Sequence, residues 1–247
     1  MKPIFVVFEG IDRCGKGAQS KLVCQRLASK GVPSHAYWTP DRRTVVGELA
    51  GRFLRGQVGL ARDPGEDRMV PTDGERRDAS LALQCLLTCC RYEVAAQVRR
   101  DLVAGTSVAC SRWWPSAVAY AEEDGLDTEA IRAHSLFLPE PDLFVLLDVS
   151  AEAIAARFDP GERYETSLEV QERLACRYRR LWAERSAVLP GKWVRVECAG
   201  LTEEEVAAQV WQWVLLSRRL AESELEETFR STIVYGKTVS PGSGEKG

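Results

Sequence analysis

The stretch IFVVFEGIDRCGKGAQ, residues 4–19, decides how the rest of the chain is interpreted. Its first half is apolar and rich in β-branched residues without strict alternation, which is typical of a strand buried on both faces. Gly10 to Lys16 then fit the pattern G-x-x-x-x-G-K, and an amphipathic segment follows from Gly15 to Lys30. A strand, a glycine-rich loop and a helix in this order are the context in which the pattern binds phosphate.

The glycine-rich loop therefore predicts a site for a phosphate chain. Its glycines let backbone N–H groups surround the anion, the helix N-terminus adds a favourable dipole, and Lys16 supplies a point charge. The next residue is normally Ser or Thr, whose hydroxyl binds Mg²⁺. Gly17 and Ala18 occupy the two positions after the lysine here, so the sequence leaves the metal ligands unknown.

Short apolar runs alternate with longer amphipathic segments along the rest of the chain. The predicted strands are Ile4–Phe8, His35–Trp38, Ser107–Cys110, Leu143–Asp148 and Trp193–Val196. The predicted helices are Gly15–Lys30, Ala79–Val103, Thr128–Phe137, Ala151–Phe158, Leu168–Val188 and Thr202–Leu220. This alternation predicts an α/β protein with the three-layer P-loop NTPase fold, in which helices cover both faces of a five-stranded parallel sheet.

The pattern shows no second domain and predicts a single P-loop domain over residues 1–220. The segment Gly56–Asp78, rich in Gly, Asp, Arg and Pro, is predicted to be a long surface loop. Residues 221–247 are predicted to be a C-terminal extension with a flexible end.

The composition of the chain argues against nucleic acid and membranes as binding partners. The chain has 247 residues, and 33 Lys and Arg against 36 Asp and Glu give a net charge of −3. This balance argues against a protein that coats nucleic acid, because phosphate backbones demand excess positive charge. The longest apolar runs, such as Leu143–Leu147, fall far short of the roughly 20 residues that span a bilayer, so we expect no membrane association.

Eight cysteines include no C-x-x-C pair, which disfavours zinc-ribbon and thioredoxin-type sites. We expect reduced, buried cysteines in an intracellular compartment, the cytoplasm first, with the nucleus and the mitochondrion left open.

Six segments in register, spread over residues 4–215, resemble the thymidylate kinases. The phosphate loop Glu9–Ser20 is similar to the family's EG-x-DR-x-GKSTQ. The other five are Pro40-Asp41-Arg42, Arg91-Tyr92-Glu93, Arg112 with Ser116 and Tyr120, Leu138–Leu143, and a lid segment, residues 157–165, that ends in Arg163-Tyr164-Glu165.

The resemblance implies phosphoryl transfer from ATP to dTMP with Mg²⁺ by a homodimer. It implies catalytic roles for Arg13, Lys16, Arg112 and Arg163. It places the ATP phosphates on Gly10, Asp12, Arg13, Cys14, Gly15, Lys16, Gly17 and Ala18. It places the nucleoside monophosphate on Asp12, Asp41, Arg42, Leu87, Arg91, Arg112, Ser116 and Tyr120. It makes Arg157, Arg163 and Tyr164 the lid residues, with the two arginines closing over ATP.

The chain departs from the family pattern at residues that would bind the metal ion and the nucleotide base. Ser111 replaces the aspartate that normally precedes Arg112, and Leu87 and Thr39 replace two aromatic residues of the base pocket. Trp113 and Trp114 are candidates to refill that pocket, or else to pack under the lid or at a dimer face.

Three hypotheses follow from this mixture. The first is a divergent, active dTMP kinase, with activity reduced by Gly17, Ala18 and Ser111. The second is a catalytically degenerate protein that still binds nucleotide. The third is a kinase for another nucleoside monophosphate.

Overall fold

The computed structural model describes residues 2–58, 73–159, 161–165, 167–189 and 191–218. Its strands are β1 (Phe5–Glu9), β2 (Ser34–Trp38), β3 (Ser107–Ser111), β4 (Leu143–Asp148) and β5 (Trp193–Glu197). They form one sheet in the order β2-β3-β1-β4-β5, and every neighbouring pair is parallel. The predicted five-stranded parallel sheet is confirmed, and each predicted strand lies within one residue of its observed bounds.

Helices cover both faces of the sheet. They are α1 (Lys16–Ser29), α2 (Val45–Leu54), α3 (Asp73–Val103), α4 (Trp114–Glu123), α5 (Thr128–Ala133), α6 (Ala151–Ile154), α7 (Leu168–Val188) and α8 (203–218). Val6 and Phe8 of β1 share a core cluster with residues of α1 and α8. Phe5 and Val7, on the opposite face of the strand, share a second cluster with residues of α3 and α7. The three-layer arrangement is confirmed.

The sheet topology positions the functional site. β1 and β3 are neighbours with Phe8 paired to Ser111, so both strands end at the same edge. The phosphate loop follows β1 and Arg112 follows β3. Loops that follow adjacent parallel strands form a crevice at the carboxyl edge, where ligands of such sheets bind.

Helix α3 begins at Asp73, six residues before the predicted start. The predicted loop over residues 56–78 is therefore wrong for residues 73–78, and residues 59–72 lie outside the described part of the chain. Residues 73–78 are all exposed, so they carry no apolar stripe by which periodicity could have found this turn of helix.

Helices α2 and α4 were not predicted. In α2, Gly47 and Gly51 pack close to neighbouring groups, and a Cβ at Gly47 would lie 1.9 Å from the carbonyl oxygen of Asp41. Glycine normally lowers helix propensity, so the residues that allow this packing also conceal the helix. Helix α4 starts with Pro115 in its first turn, where proline is tolerated.

Two helices are shorter than predicted. Helix α5 ends at Ala133 rather than Phe137, because Leu136 and Phe137 are exposed and Pro139 disfavours helical backbone in the residue before it. Helix α6 ends at Ile154, and a 3₁₀ turn over Ala155–Arg157 completes the predicted segment.

The predicted last helix is present as α8, and its proposed end at Leu220 lies outside the described residues, as does the C-terminal extension. Within the described ranges, no helix is both long and apolar enough to cross a membrane. All eight cysteines are free. Cys85, Cys89 and Cys176 are exposed, so the expectation of buried cysteines is wrong for these three.

Candidate active site

The phosphate loop connects β1 to α1 with two glycines in backbone conformations that other residues rarely adopt. Gly10 has φ +139°, and a Cβ there would lie 2.7 Å from the carbonyl oxygen of Leu147. Gly15 has φ +97° directly before Lys16, the first residue of α1. These conformations turn the backbone into the helix and leave the loop around the N-terminus of α1.

Lys16 lies inside this loop. Its ammonium group donates to the carbonyl oxygens of Gly10 at 3.0 Å and Ile11 at 2.5 Å, and it lies 3.5 Å from Sγ of Cys14. Burial lowers the pKa of Lys16, and the positive charge of Arg112 adds to this effect. The lysine is thus held where the loop would surround a phosphate.

A cavity runs along this loop and is called the donor cavity below. It measures about 640 Å³. It is lined by Asp12, Arg13, Gly15, Lys16, Gly17, Ala18, Arg42, Ser111, Arg112, Arg157, Asp159, Glu162 and Glu165. Six of the eight residues that the resemblance assigned to the ATP phosphates line it. Gly10 and Cys14 instead form the back of the loop, where Cys14 is buried.

A second cavity adjoins the first and is called the acceptor cavity below. It measures about 120 Å³. It is lined by Asp12, Thr39, Pro40, Arg42, Leu54, Leu87, Arg91, Arg112, Ser116, Tyr120, Glu162, Tyr164 and Glu165. Seven of the eight residues assigned to the nucleoside monophosphate therefore meet here. Asp41 does not line the cavity, and its carboxylate pairs with Arg43 at 2.7 Å.

Asp12 and Arg112 lie in the wall that the two cavities share. Asp12 accepts hydrogen bonds from Arg112, from the Tyr120 hydroxyl at 2.6 Å and from Gln171 Nε2 at 3.2 Å. Burial acts to raise the pKa of Asp12, but the charges of Arg112 and Lys16 outweigh it and lower the pKa to about 2. Asp12 is therefore a carboxylate at every physiological pH.

Arg112 is held by several partners besides Asp12. Its guanidinium donates to the hydroxyls of Ser116 at 3.2 Å, Tyr178 at 3.3 Å and Tyr120 at 3.1 Å. Its backbone has φ 69°, in the left-handed region that side chains rarely adopt, and its N–H donates to Phe8 at 2.9 Å. A strained residue held by this many contacts is typical of a functional site.

Glu9 holds the residues next to Arg112 in place. Its buried carboxylate accepts from the backbone N–H of Trp113 at 2.6 Å and the hydroxyl of Ser116 at 2.7 Å. Burial raises the pKa of Glu9, while Ser116 and Arg112 act in the opposite direction. Arg91, also buried, donates to the carbonyl oxygen of Trp113 at 3.0 Å. These contacts fix the backbone that follows Arg112.

The side chains of Trp113 and Trp114 lie in neither cavity. Both are buried in the second core cluster, where Trp113 packs edge-on against Phe5 and Trp114 against Phe144. The suggested roles in the base pocket and under the lid are therefore wrong. The replacements Leu87 and Thr39 do line the acceptor cavity, as the resemblance placed them.

The lid segment crosses both cavities and brings carboxylates to the arginines. Glu165 accepts from Nε of Arg13 at 2.9 Å, and Glu162 accepts from Nη2 of Arg42 at 2.7 Å. Asp159 lies 3.7 Å from Arg13. The lid thus binds Arg13 of the phosphate loop and Arg42.

The two lid arginines lie on different sides. Arg157 lines the donor cavity. Arg163 lines neither cavity, because its guanidinium donates to the Ser80 hydroxyl at 2.6 Å and to Asp124 at 3.2 Å. The expectation that Arg163 closes over ATP is therefore not met by this arrangement.

Several site residues escaped the sequence analysis. Gln171 of α7 donates to Asp12 and to the carbonyl oxygen of Tyr164, and it accepts from the Asp12 N–H at 3.1 Å. Tyr178 bonds Arg112 and Ser116 from the same helix. The spacing Gln171, Leu174, Tyr178 follows the buried face of α7, so a polar residue on an apolar helical stripe was the available signal.

The described part of the chain places few of the usual Mg²⁺ ligands at the donor cavity. Among the described residues, no group of three or more His, Cys, Asp or Glu side chains is arranged to hold a metal ion. Gly17, Ala18 and Ser111 supply no carboxylate at the donor cavity, and the nearby lid carboxylates pair with arginines. The usual protein ligands of Mg²⁺ are thus replaced, and the cavity carboxylates Asp12, Glu162 and Glu165 are paired with arginines.

A parallel sheet, a phosphate loop and a lid over two adjoining cavities define a P-loop kinase of the nucleotide kinase class. Comparisons with known proteins agree. Residues 67–210 match the family model described as thymidylate kinase. A thymidylate kinase of Dictyostelium discoideum is 30% identical over 173 residues, covering 69% of each chain. One of Caenorhabditis elegans is 27% identical over 183 residues, covering 70% of this chain and 75% of the relative.

The fold agrees as well. A solved structure of thymidylate kinase from Candida albicans superposes with a TM-score of 0.67 at 22% identity, covering 88% of this chain and 93% of that one. The chain belongs to the thymidylate kinase family.

Proposed function

We propose that this protein transfers the terminal phosphoryl group of ATP to dTMP. The bond between the β–γ bridging oxygen and the γ-phosphorus of ATP breaks, and a bond from a dTMP phosphate oxygen to that phosphorus forms. The products are ADP and dTDP. Family membership supports this reaction and does not favour the degenerate protein or the kinase for another base.

The observation that carries the proposal is the wall shared by the two cavities. Asp12, Arg42, Arg112, Glu162 and Glu165 line both cavities. A phosphate chain lying on the phosphate loop and a phosphate in the acceptor cavity would therefore meet beside Arg42 and Arg112. Phosphoryl transfer depends mainly on such positioning and on positive charge around the transferring group.

The residues divide into two groups by cavity. Lys16, Arg13 and Arg157 supply positive charge on the donor side. Arg42 and Arg112 supply planar guanidinium groups on the side of the acceptor phosphate, a geometry that suits phosphate oxygens. Leu54, Leu87 and Tyr120 form an apolar wall in the acceptor cavity, where the nucleoside would lie.

We treat Mg²⁺ as part of the ATP substrate. Because the described residues form no side-chain site for Mg²⁺, we propose that the ion arrives bound to the phosphates of ATP. No step of the reaction is assigned to a protein-held metal.

We further propose a homodimer. Val45 and Leu49 of α2 and Leu81 of α3 are exposed, Val45 by 84%, and the two helices pack together. Burying such residues against a second copy is favourable. A mass measurement by light scattering tests it: about twice the chain mass of 27.5 kDa supports the dimer, and a mass near 27.5 kDa contradicts it.

Two expectations from the sequence remain proposals. We propose that residues 1–220 act as one nucleotide kinase domain. We also propose an intracellular, reducing location, since all eight cysteines are free; the cytoplasm is the first expectation.

A panel of acceptors tests the proposed substrate. ADP release is measured with ATP and Mg²⁺ in the presence of dTMP, dUMP, UMP, dCMP or dGMP in turn. We expect kcat/KM to be highest for dTMP. A higher value for another base would point to the third hypothesis, and no turnover with any of the five would point to the degenerate protein.

A further inference from the structure

Asp124, which belongs to none of the sequence motifs, binds the lid segment. Asp124 follows α4, and its side chain is only 7% exposed. Its carboxylate accepts from the Tyr164 hydroxyl at 2.7 Å and from Nη2 of Arg163 at 3.2 Å. One carboxylate thus binds two consecutive lid residues.

Tyr164 is the lid residue whose position shapes the acceptor cavity. Its ring lies 4.6 Å from the ring of Tyr120 in an edge-on arrangement, and both rings line the cavity. The Tyr120 hydroxyl in turn donates to Asp12 in the shared wall. A change in the position of Tyr164 is therefore a change in the acceptor cavity.

The lid backbone is held at the same place. The N–H of Arg163 donates to the carbonyl oxygen of Leu54, the last residue of α2, at 2.9 Å. Arg163 also donates to Ser80 of α3. The Asp124 contacts therefore lie among others that join this part of the lid to α2, α3 and α4.

The acceptor cavity is small with the lid in this position. At about 120 Å³, the cavity is smaller than typical ligand pockets of roughly 300–1,000 Å³. An outward movement of the lid would widen the cavity for a nucleotide. The contacts of Arg163 and Tyr164 with Asp124 would break on opening and re-form on closing.

We propose that Asp124 is a positioning residue that latches the lid closed over the acceptor cavity. It lines neither cavity, so it acts through Tyr164 and Arg163 rather than by touching substrate. The proposal rests on the proposed function only for its consequence, a tighter hold on the acceptor nucleotide. Ionisation supports it: burial raises the pKa of Tyr164 well above its usual value, and the charge of Asp124 adds to this, so the hydroxyl remains a donor.

The adjacent residue offers a matched control. Glu123 has the same charge, but its carboxylate accepts from Arg173 and Arg177 of α7 rather than from lid residues. Glu123→Gln removes one charge and weakens ion pairs between α4 and α7 without touching the lid. Asp124→Asn removes the same charge at the latch, and Tyr164→Phe deletes only the hydroxyl that Asp124 binds.

Hydrogen–deuterium exchange without nucleotide tests the latch directly. In Asp124→Asn we expect the amides of residues 161–165 to exchange about tenfold faster than in the wild type, because local opening becomes easier. Tyr164→Phe should act in the same direction, and Glu123→Gln should leave these amides unchanged. Exchange as slow as in the wild type in both latch variants would overturn the proposal, as would equal acceleration by Glu123→Gln.

Calorimetric titration with dTMP tests the consequence. We expect the dissociation constant of dTMP to rise about tenfold in Asp124→Asn, because dTMP must then order a lid that is already ordered in the wild type. The dissociation constant of ATP should stay unchanged. Unchanged dTMP binding, with fast lid exchange, would overturn the role in substrate binding.

If the wild type binds no dTMP, the proposed function fails, and the exchange data still decide whether Asp124 latches the lid. Should Asp124→Asn not fold, as judged by circular dichroism, Tyr164→Phe carries both measurements.

Discussion

Glu162 of the lid binds Arg42 across the junction of the two cavities, with Oε1 2.7 Å from Nη2 of the guanidinium. Both side chains line both cavities. Arg55 lies 3.8 Å from the same carboxylate. An arginine assigned to the acceptor phosphate is therefore bound by a carboxylate of the lid, and a phosphate has to compete with that carboxylate.

Neutralising Glu162 should make this competition easier. In Glu162→Gln we expect the KM for dTMP to fall about threefold, because one negative charge leaves the wall that binds the phosphate, an effect within the usual range for partly exposed ion pairs. Steady-state kinetics at two ionic strengths measure it. Glu169→Gln, at an exposed position on α7, is the matched control. An increase in KM for dTMP would show instead that Glu162 orients Arg42 productively.

The two lid arginines should have separate kinetic effects. Arg157 lines the donor cavity, whereas Arg163 binds Ser80 and Asp124. We expect Arg157→Ala to raise the KM for ATP about tenfold with little effect on the KM for dTMP, since it removes a charge next to the donor phosphates. Arg163→Ala should show the reverse pattern. If Arg163→Ala affected ATP alone, the placement of this residue outside the donor cavity would be contradicted.

Restoring oxygen ligands at the donor cavity should lower the demand for free Mg²⁺. Gly17 has open space where a Cβ would be added, and Ser111 ends β3 beside the loop. In the double variant Gly17→Ser, Ser111→Asp we expect half-maximal activity at a lower Mg²⁺ concentration and a kcat about tenfold higher, because hydroxyl and carboxylate oxygens bind this ion. Gly17→Ala with Ser111→Asn is the control. Equal Mg²⁺ dependence in both double variants would rule out this explanation.

Asp12 should make the folded state sensitive to acid. Its pKa falls from 3.8 to about 2 on folding, so its carboxylate stabilises the fold above pH 4 and this contribution is lost as the pH falls toward 2. A shift of this size corresponds to about 2 kcal/mol. Urea unfolding at pH 5 and pH 2.5 should show a smaller difference in unfolding free energy for Asp12→Asn than for the wild type. Equal differences would mean that other groups cause the acid sensitivity.

Much of the fold could be predicted because its signals are local. Each strand and the glycine-rich loop lie within a few consecutive residues, and the predicted bounds are correct within one residue for all five strands. Helix α2 was missed because Gly47 and Gly51 serve close packing at the expense of propensity. The start of α3 was missed because residues 73–78 face solvent and leave no periodic pattern.

The site was harder to predict where contacts join distant parts of the chain. Arg13 and Glu165 are 152 residues apart, and Asp12 and Gln171 are 159 apart. Most of the residues that the resemblance assigned to the nucleotides line the two cavities, but the resemblance could not show which arginines the lid carboxylates bind. The position of Arg163 depends on Asp124 and Ser80, which belong to no motif of the sequence analysis.

Transfer of label from γ-³²P-ATP to dTMP shows whether this protein phosphorylates dTMP. Wild-type protein and Lys16→Ala are incubated with labelled ATP, Mg²⁺ and dTMP, and the nucleotides are separated by chromatography. We expect labelled dTDP that requires dTMP and falls by about 10²-fold or more in Lys16→Ala, since a charge at the transferring phosphate is lost. Label that stays in ATP or appears only as inorganic phosphate, or equal dTDP from the variant, would contradict it.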